Sequence, residues 1–367
     1  MKKLTCQLLS LLCIGLFSGC SFLGPCESGS GSASEDKTPS WVEKTNAPEG
    51  YTEALFDRRY NYGVNILGLN NYHTVLPWAK IYPHGEQELD PYWRLAQWGY
   101  YNNYFLQKDA SYTETNGVIN YTKNWTEPVK DGDWITISNK ASTVSLNIAT
   151  GGFKLYTDVR EEYGVTPPYA THPIISNPRR AGEDWPHLLM EQAIPCPLTL
   201  GDITATYFDI AFTVEKAENH TPNYNTSLHT AQFSWIFTIS CVNRSSPSYG
   251  KGYFFSLPLY DYRTKIIPAS FMVDSGKESA TGDMMYGLCN EDMVKGGVEV
   301  GTRYECSVNL YEQLKASFER MQGDGNFNNC TLSDMRINTT NIGWELPGTF
   351  DVGLEVEYIS LKYIEKE

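Results

Sequence analysis

The chain has 367 residues, 41% of them hydrophobic and 20% charged, with 43 acidic against 29 basic residues and a net charge of −14. That apolar share supports a packed core and excludes wholesale disorder. The acidic balance, with no basic cluster anywhere, excludes nucleic acid as a partner, because phosphate binding needs a concentrated cationic surface. Aromatic residues are plentiful at 13%, with 25 Tyr and 9 Trp.

At the N-terminus, Lys2 and Lys3 precede an apolar run from Leu8 to Phe17, followed by Ser18, Gly19 and Cys20. The run is too short to span a bilayer comfortably. Small residues before a cysteine at its end resemble the lipobox of bacterial lipoproteins, with Phe17 where that family usually has an aliphatic residue. The resemblance implies that residues 1–19 are a cleaved signal peptide and that Cys20 carries the lipid, palmitate included. Several acyl chains on one residue anchor firmly where a single chain would be marginal. Ser21, in place of aspartate, implies sorting to the outer membrane, at the cell surface or facing the periplasm. Residues 20–40 hold a Gly/Ser-rich stretch with no periodicity, which reads as a flexible tether. Loss of Lys2 and Lys3 with the signal takes the net charge from −14 to −16. Cys6 and Cys13 leave with it, so Cys26, Cys196, Cys241, Cys289, Cys306 and Cys330 remain for structural thiols or bridges. Their pairing cannot be chosen from spacing. No Cys-x-x-Cys and no Cys/His group at zinc spacing occurs, so no metal ligand is assigned.

Residues 41–130 are aromatic and polar without clean periodicity, and read as first strands with long loops laid over the body. From Trp134 onward the pattern alternates with period two, the mark of half-buried strands. Strands are expected at 134–139, 143–149 and 152–157. In 204–214, Phe208, Ile210, Phe212 and Val214 share one face, and in 232–239 Phe233, Trp235, Phe237 and Ile239 do so. Further strands are expected at 253–259 and 266–273, and from Phe350 through Val356. Apolar residues at 310, 311, 314, 318 and 321 predict one helix over 308–321. Runs of strands with one helix point to an antiparallel β-sandwich, with residues 41–367 as a single large domain.

Three groups of residues carry candidate chemistry. The segment from Arg179 to Gln192 holds Trp185, His187 and Glu191 among two guanidiniums and further carboxylates. Trp185 can stack on a sugar ring while His187 and Glu191 hydrogen-bond hydroxyls, or the same residues can serve as core and solvated pairs. Tyr260, Asp261, Tyr262 and Arg263 close an apolar strand. Asp261 and Arg263 share a parity, as a structural ion pair or as a ligand clamp, with Tyr260 as stacking area. Earlier lie Tyr72, His73, Trp78, His84, Glu86, Glu88, Asp90, Trp93, Arg94 and Trp98, aromatics interleaved with hydrogen-bonding groups as polyol recognition requires. Trp93 is the added platform of that group, although each tryptophan there can equally staple loops to the sandwich. Glu86-Gln87-Glu88-Leu89-Asp90 only faintly resembles the paired-carboxylate strand of retaining jelly-roll glucanases. There is no nucleophile elbow, phosphate loop or dinucleotide fingerprint, so no catalytic residue is assigned.

The stretch from Asn341 to Val356 resembles the closing strands of jelly-roll, concanavalin-A-like domains. With the lipobox and tether, the chain is similar to surface lipoproteins of glycan-foraging Gram-negative bacteria. The resemblance implies an all-β, antiparallel jelly-roll-like β-sandwich with long loops and one or two short helices. It also implies a cell-surface lipoprotein that binds or helps process a polysaccharide or oligosaccharide through an aromatic-lined face. The membrane is met through the lipid anchor. No cofactor is expected, with a structural calcium left open. Two alternatives stand beside this: a jelly-roll glycoside hydrolase or polysaccharide lyase, and a fimbrial or adhesion-type structural lipoprotein with an exposed edge strand.

Overall fold

A computed structural model of the chain describes residues 45–70, 74–75, 79–83, 91–100, 106–108, 121–123, 126–166, 174–277 and 280–367. Its strands are β1 (Thr52–Glu53), β2 (Val64–Asn70), β3 (Thr74–Val75), β4 (Ala79–Ile81), β5 (Trp93–Trp98), β6 (Leu106–Lys108) and β7 (Tyr121–Lys123). There follow β8 (Val129–Asp131), β9 (Trp134–Ser138), β10 (Ser142–Asn147), β11 (Phe153–Asp158), β12 (His187–Ala193), β13 (Ile203–Asn219) and β14 (Gln232–Cys241). The series closes with β15 (Gly252–Asp261), β16 (Ser270–Val273), β17 (Met284–Gly287), β18 (Arg303–Asn309), β19 (Met335–Glu345) and β20 (Phe350–Glu365), with helix α1 at Tyr311–Gly323.

These strands make two sheets. The first runs β18-β13-β20-β11-β10-β9-β8, with β1 also on β20. The second runs β16-β17-β15-β14-β19-β12-β5-β2-β3, with β4 on β2. Strands β6 and β7 form a separate pair. The chain changes sheet at β11 to β12, β12 to β13 and β13 to β14, and again from β18 through β19 to β20. That alternation is the jelly-roll-like sandwich the sequence leads one to expect. Pairing is antiparallel except between β2 and β5 and between β15 and β17.

The alternating residues meet between the sheets. Phe208, Ile210, Phe212 and Val214 of β13, Phe233, Trp235 and Phe237 of β14, and Val352, Leu354 and Val356 of β20 are all fully buried. Phe208 sets its edge against Trp235 and Phe237 with centroids 5.7 and 4.9 Å away. Each such ring removed from water contributes about 2–3 kcal/mol before the entropy of ordering it. One cluster of buried apolar side chains runs from Ala54 to Tyr363. Helix α1 buries Leu314, Phe318 and Met321, the spacing that marked it, and begins after residues 308–309, which belong to β18.

Candidate functional site

Directly opposed residues on neighbouring strands share a face of the sheet. In the second sheet this rule draws one row across five strands: Trp98 opposes His187, His187 opposes Glu345, Glu345 opposes Gln232, and Gln232 opposes Asp261. The neighbours one step along, Leu188, Trp344 and Phe233, are fully buried between the sheets. The row therefore lies on the outer face. Four residues along β12 and β5 from His187 and Trp98, Glu191 opposes Arg94 on that same face.

Five side chains gather at the His187 end. The Trp185 indole stacks on the His187 ring, centroids 5.7 Å apart and planes at 21°. The Arg179 guanidinium and the Lys277 ammonium lie 4.4 and 4.6 Å from the centre of the same indole. Trp185 Nε1 donates to Glu345 Oε2 at 3.3 Å, and His187 Nε2 stands 3.4 Å from that oxygen. Lys277 Nζ reaches His187 Nε2 at 3.2 Å. Burial alone would raise the Glu345 carboxyl, but His187, Lys277 and the Trp185 donor outweigh it and hold the group at about 2.

Backbone geometry places this cluster. Arg179 donates from Nε to the Glu183 carbonyl at 2.8 Å and from its terminal nitrogen to the Gly276 carbonyl at 3.0 Å. Gly182 N also donates to the Gly276 carbonyl at 3.2 Å, so the segments carrying Trp185 and Lys277 are tied together. Glu183 accepts from Ser176 Oγ, Ser176 N and Arg180 N at 2.7–3.0 Å. Those donors prevail over burial and hold its carboxyl below the usual range. Gly99, with φ +73°, sits so close that a Cβ there would meet the Trp185 carbonyl oxygen at 2.3 Å. Only glycine admits that approach.

The second carboxylate, Glu191, is bound on both oxygens. Arg94 Nε lies 2.6 Å from Oε2, and Trp98 Nε1 donates to Oε1 at 3.0 Å. At the far end of the row Asp261 accepts from Thr230 Oγ1 at 2.7 Å, Gln232 Nε2 at 2.9 Å and Arg263 N and Nε at 2.9 Å. Burial pushes the Asp261 carboxyl up, and these donors, Arg263 first, pull it below its ordinary value.

The structure thus sorts the residues the sequence singles out. Trp185, His187, Glu191 and Asp261 stand at or along one face, with Arg263 held on Asp261. The clamp reading of Asp261 and Arg263 is corrected, since Asp261 is buried and already satisfied by Arg263, Thr230 and Gln232. Trp93 is no platform: it is 2% exposed, edge-on to Tyr60, and its Nε1 donates to the Asp57 carbonyl at 3.0 Å. Tyr260 is likewise turned inward, 8% exposed and edge-on to Trp344, with burial lifting its hydroxyl to about 12. Trp185 is crowded by three groups of its own chain, so its ring is not a bare stacking surface. Trp98, opposite His187 in the row, stays half-buried. Glu345 and Lys277 were not singled out, since each arrives from a distant segment and no local spacing marks it. Cys20, Tyr72, His73, Trp78, His84, Glu86, Glu88 and Asp90 lie outside the described residues.

Among the described residues, Glu218, His220 and Asp351 bring ligand-type atoms within 4.8 Å of one another. Lys216 Nζ lies 2.6 Å from Asp351 and 3.5 Å from Glu218, so a cation of the chain already balances that group.

No protein-family model and no curated protein matches the sequence. Solved structures similar in chain course include an endoglucanase, Cel12A, from Rhodothermus marinus, at 11% identity and a TM-score of 0.34, covering 64% of this chain and 93% of that one. The catalytic domain of Humicola grisea Cel12A, solved with a soaked thio-cellotetraose, has 8% identity and a TM-score of 0.34, over 64% and 95% of the two chains. A family 11 xylanase from Neocallimastix patriciarum has 8% identity and a TM-score of 0.33, over 71% and 99%.

Proposed function

We propose that the chain is a lipid-anchored cell-surface protein that binds a polysaccharide or oligosaccharide on the outer face of its second sheet. The observation that carries this is the His187 end of the row. His187 is 6% exposed, and its Nδ1 meets no hydrogen-bond partner among the described residues. Whichever tautomer the ring adopts, Nδ1 can donate or accept one hydrogen bond, and a hydroxyl can answer either way. A buried polar atom in that state is costly unless a partner arrives, and a sugar hydroxyl is such a partner. Half-buried Trp98 offers an apolar face alongside, and Glu345 a carboxylate that stays ionised.

Affinity electrophoresis of residues 21–367 through gels containing plant, host or microbial polysaccharides tests the reading. Retention on one glycan, reduced about tenfold by Trp98→Ala, supports it. Passage through every gel unretarded rejects it. The anchor is tested separately: Cys20→Ala should move the protein from the membrane fraction to the soluble one.

Glu191 and Glu345 on adjacent strands of one face also favour a second reading, a glycoside hydrolase. A carboxyl held at about 2 suits a nucleophile or charge stabiliser and not a general acid. Glu191 is paired to Arg94, which leaves the acid without an evident candidate. Product release from a polysaccharide panel that disappears in Glu345→Gln would establish hydrolysis, and its absence in the unaltered protein would dismiss it.

A further inference from the structure

The two thiols at the base of helix α1 have no part in the glycan reading. Cys241 is the last residue of β14, and Cys330 lies between α1 and β19. They are 89 positions apart in sequence, yet their sulfurs are 3.5 Å apart. Both side chains are buried, at 1% and 5% exposure, and both are free thiols here.

Each thiol is brought to the meeting by its own backbone. Cys241 N donates to the Lys251 carbonyl and its carbonyl accepts from Gly250 N, both at 2.9 Å, while β14 and β19 pair it with Met335. Cys330 N donates to the Phe327 carbonyl at 2.9 Å, and its own carbonyl accepts from Gln322 Nε2 of α1 at 3.0 Å. Neither contact depends on the other. Ser246 Oγ approaches Cys330 Sγ at 3.4 Å, a polar neighbour for a sulfur otherwise among apolar groups. A disulfide needs its sulfurs about 2 Å apart, so closure asks for roughly 1.5 Å of approach between them.

We propose that Cys241 and Cys330 are a disulfide site, closed by thiol–disulfide exchange with a small-molecule or protein disulfide. In the exchange a Cys241 or Cys330 thiolate attacks the donor disulfide, whose S–S bond breaks and releases one thiol. The remaining thiolate displaces the second, forming the Sγ–Sγ bond. The two thiol protons leave with the two thiols of the reduced donor, and each protein sulfur gives up one electron. Both sulfurs are buried in the folded chain, so a donor disulfide reaches them with difficulty once the fold is closed. The bond therefore forms while the α1 tail is still open, and export from a reducing to an oxidising compartment supplies the occasion. The bridge staples the helix tail to the end of the second sheet. There Tyr253 Oη bonds Ser317 Oγ at 2.8 Å and the Tyr253 ring packs against Phe327.

The experiment is refolding of the full chain in a buffer of oxidised and reduced glutathione, followed by blocking of free thiols and digestion without reductant. The expected result is a joined pair of peptides carrying Cys241 and Cys330, which separates on reduction. Reductant should also lower the melting temperature by about 5 °C or more, given a long closed loop. In Cys330→Ser the joined pair disappears, and the melting temperature matches the reduced protein. Two results would overturn the proposal: both cysteines recovered blocked and unpaired, or either joined to Cys196, Cys289 or Cys306. The peptide readout on the unaltered chain decides the matter even where a variant fails to fold, and glycan retention has no bearing on it.

Discussion

At the residue scale, the separation of core from site rests on two tryptophans of one strand. Trp93 and Trp98 both belong to β5, five positions apart, and odd spacing on a strand puts them on opposite faces. Trp93→Ala should cost about 3–5 kcal/mol in denaturant unfolding, as a buried ring lost from a packed core does. Trp98→Ala should leave the unfolding midpoint within a few tenths of a molar and weaken glycan retention instead. Glu345 adds a pH signature. Its folded value of about 2 lies below the ordinary 4.5, so its stabilising contribution is complete above 4.5 and is lost as pH falls toward 2. Acid titration of unfolding should show that loss, about 3 kcal/mol at most after screening of a partly exposed carboxylate. Glu345→Gln should remove the dependence in that window, and an unchanged acid limb would contradict the pairing with His187 and Lys277. From the sequence, His187 and Glu191 could be singled out because they sit with Trp185 in one dense polar segment. Their partners could not, since Glu345 joins His187 only through the register of β12 with β19.

At the scale of elements, alternation was legible wherever one strand face meets the core and the other meets water. Strands β9, β11, β13, β14 and β20 follow that pattern. Strand β12 hid itself, because His187 through Gln192 are buried on both faces, and polar ends around Leu188, Leu189 and Met190 give no period-two alternation. The parallel pairing of β2 with β5 was equally invisible, being set by long-range closure and not by local pattern. The site depends on close approach between β19 and β12. Gly343 has φ +152°, and a Cβ there would stand 2.2 Å from the Leu188 carbonyl oxygen and 3.1 Å from Leu155 Cδ1. Gly343→Ala should therefore lower the melting temperature by several degrees and disturb Glu345 two residues away. An unaltered melting curve would show that β12 and β19 can separate freely, against the packing described. Strand β16, the outermost strand of the second sheet, leaves Met272 and Val273 about half exposed, the feature to watch if the protein self-associates.

At the scale of the whole molecule, the acidic charge and the aromatic surplus acquire separate meanings. The described tryptophans divide evenly: Trp93, Trp235 and Trp344 fill the core, while Trp98, Trp134 and Trp185 stay half-buried. Trp134 stands on the first sheet under the Lys154 ammonium, 5.0 Å from its ring, so among the described residues two half-buried indoles, Trp98 and Trp185, lie at the His187 end of the second sheet and one lies on the first. That asymmetry makes the outer face of the second sheet the surface to test. The direct measurement is retention of residues 21–367 on immobilised or gel-embedded glycans, run beside Trp98→Ala and Trp134→Ala. Glycan binding on this face predicts retention of the unaltered protein, unchanged in Trp134→Ala and lost about tenfold in Trp98→Ala. Retention untouched by Trp98→Ala, or none on any glycan, would contradict it.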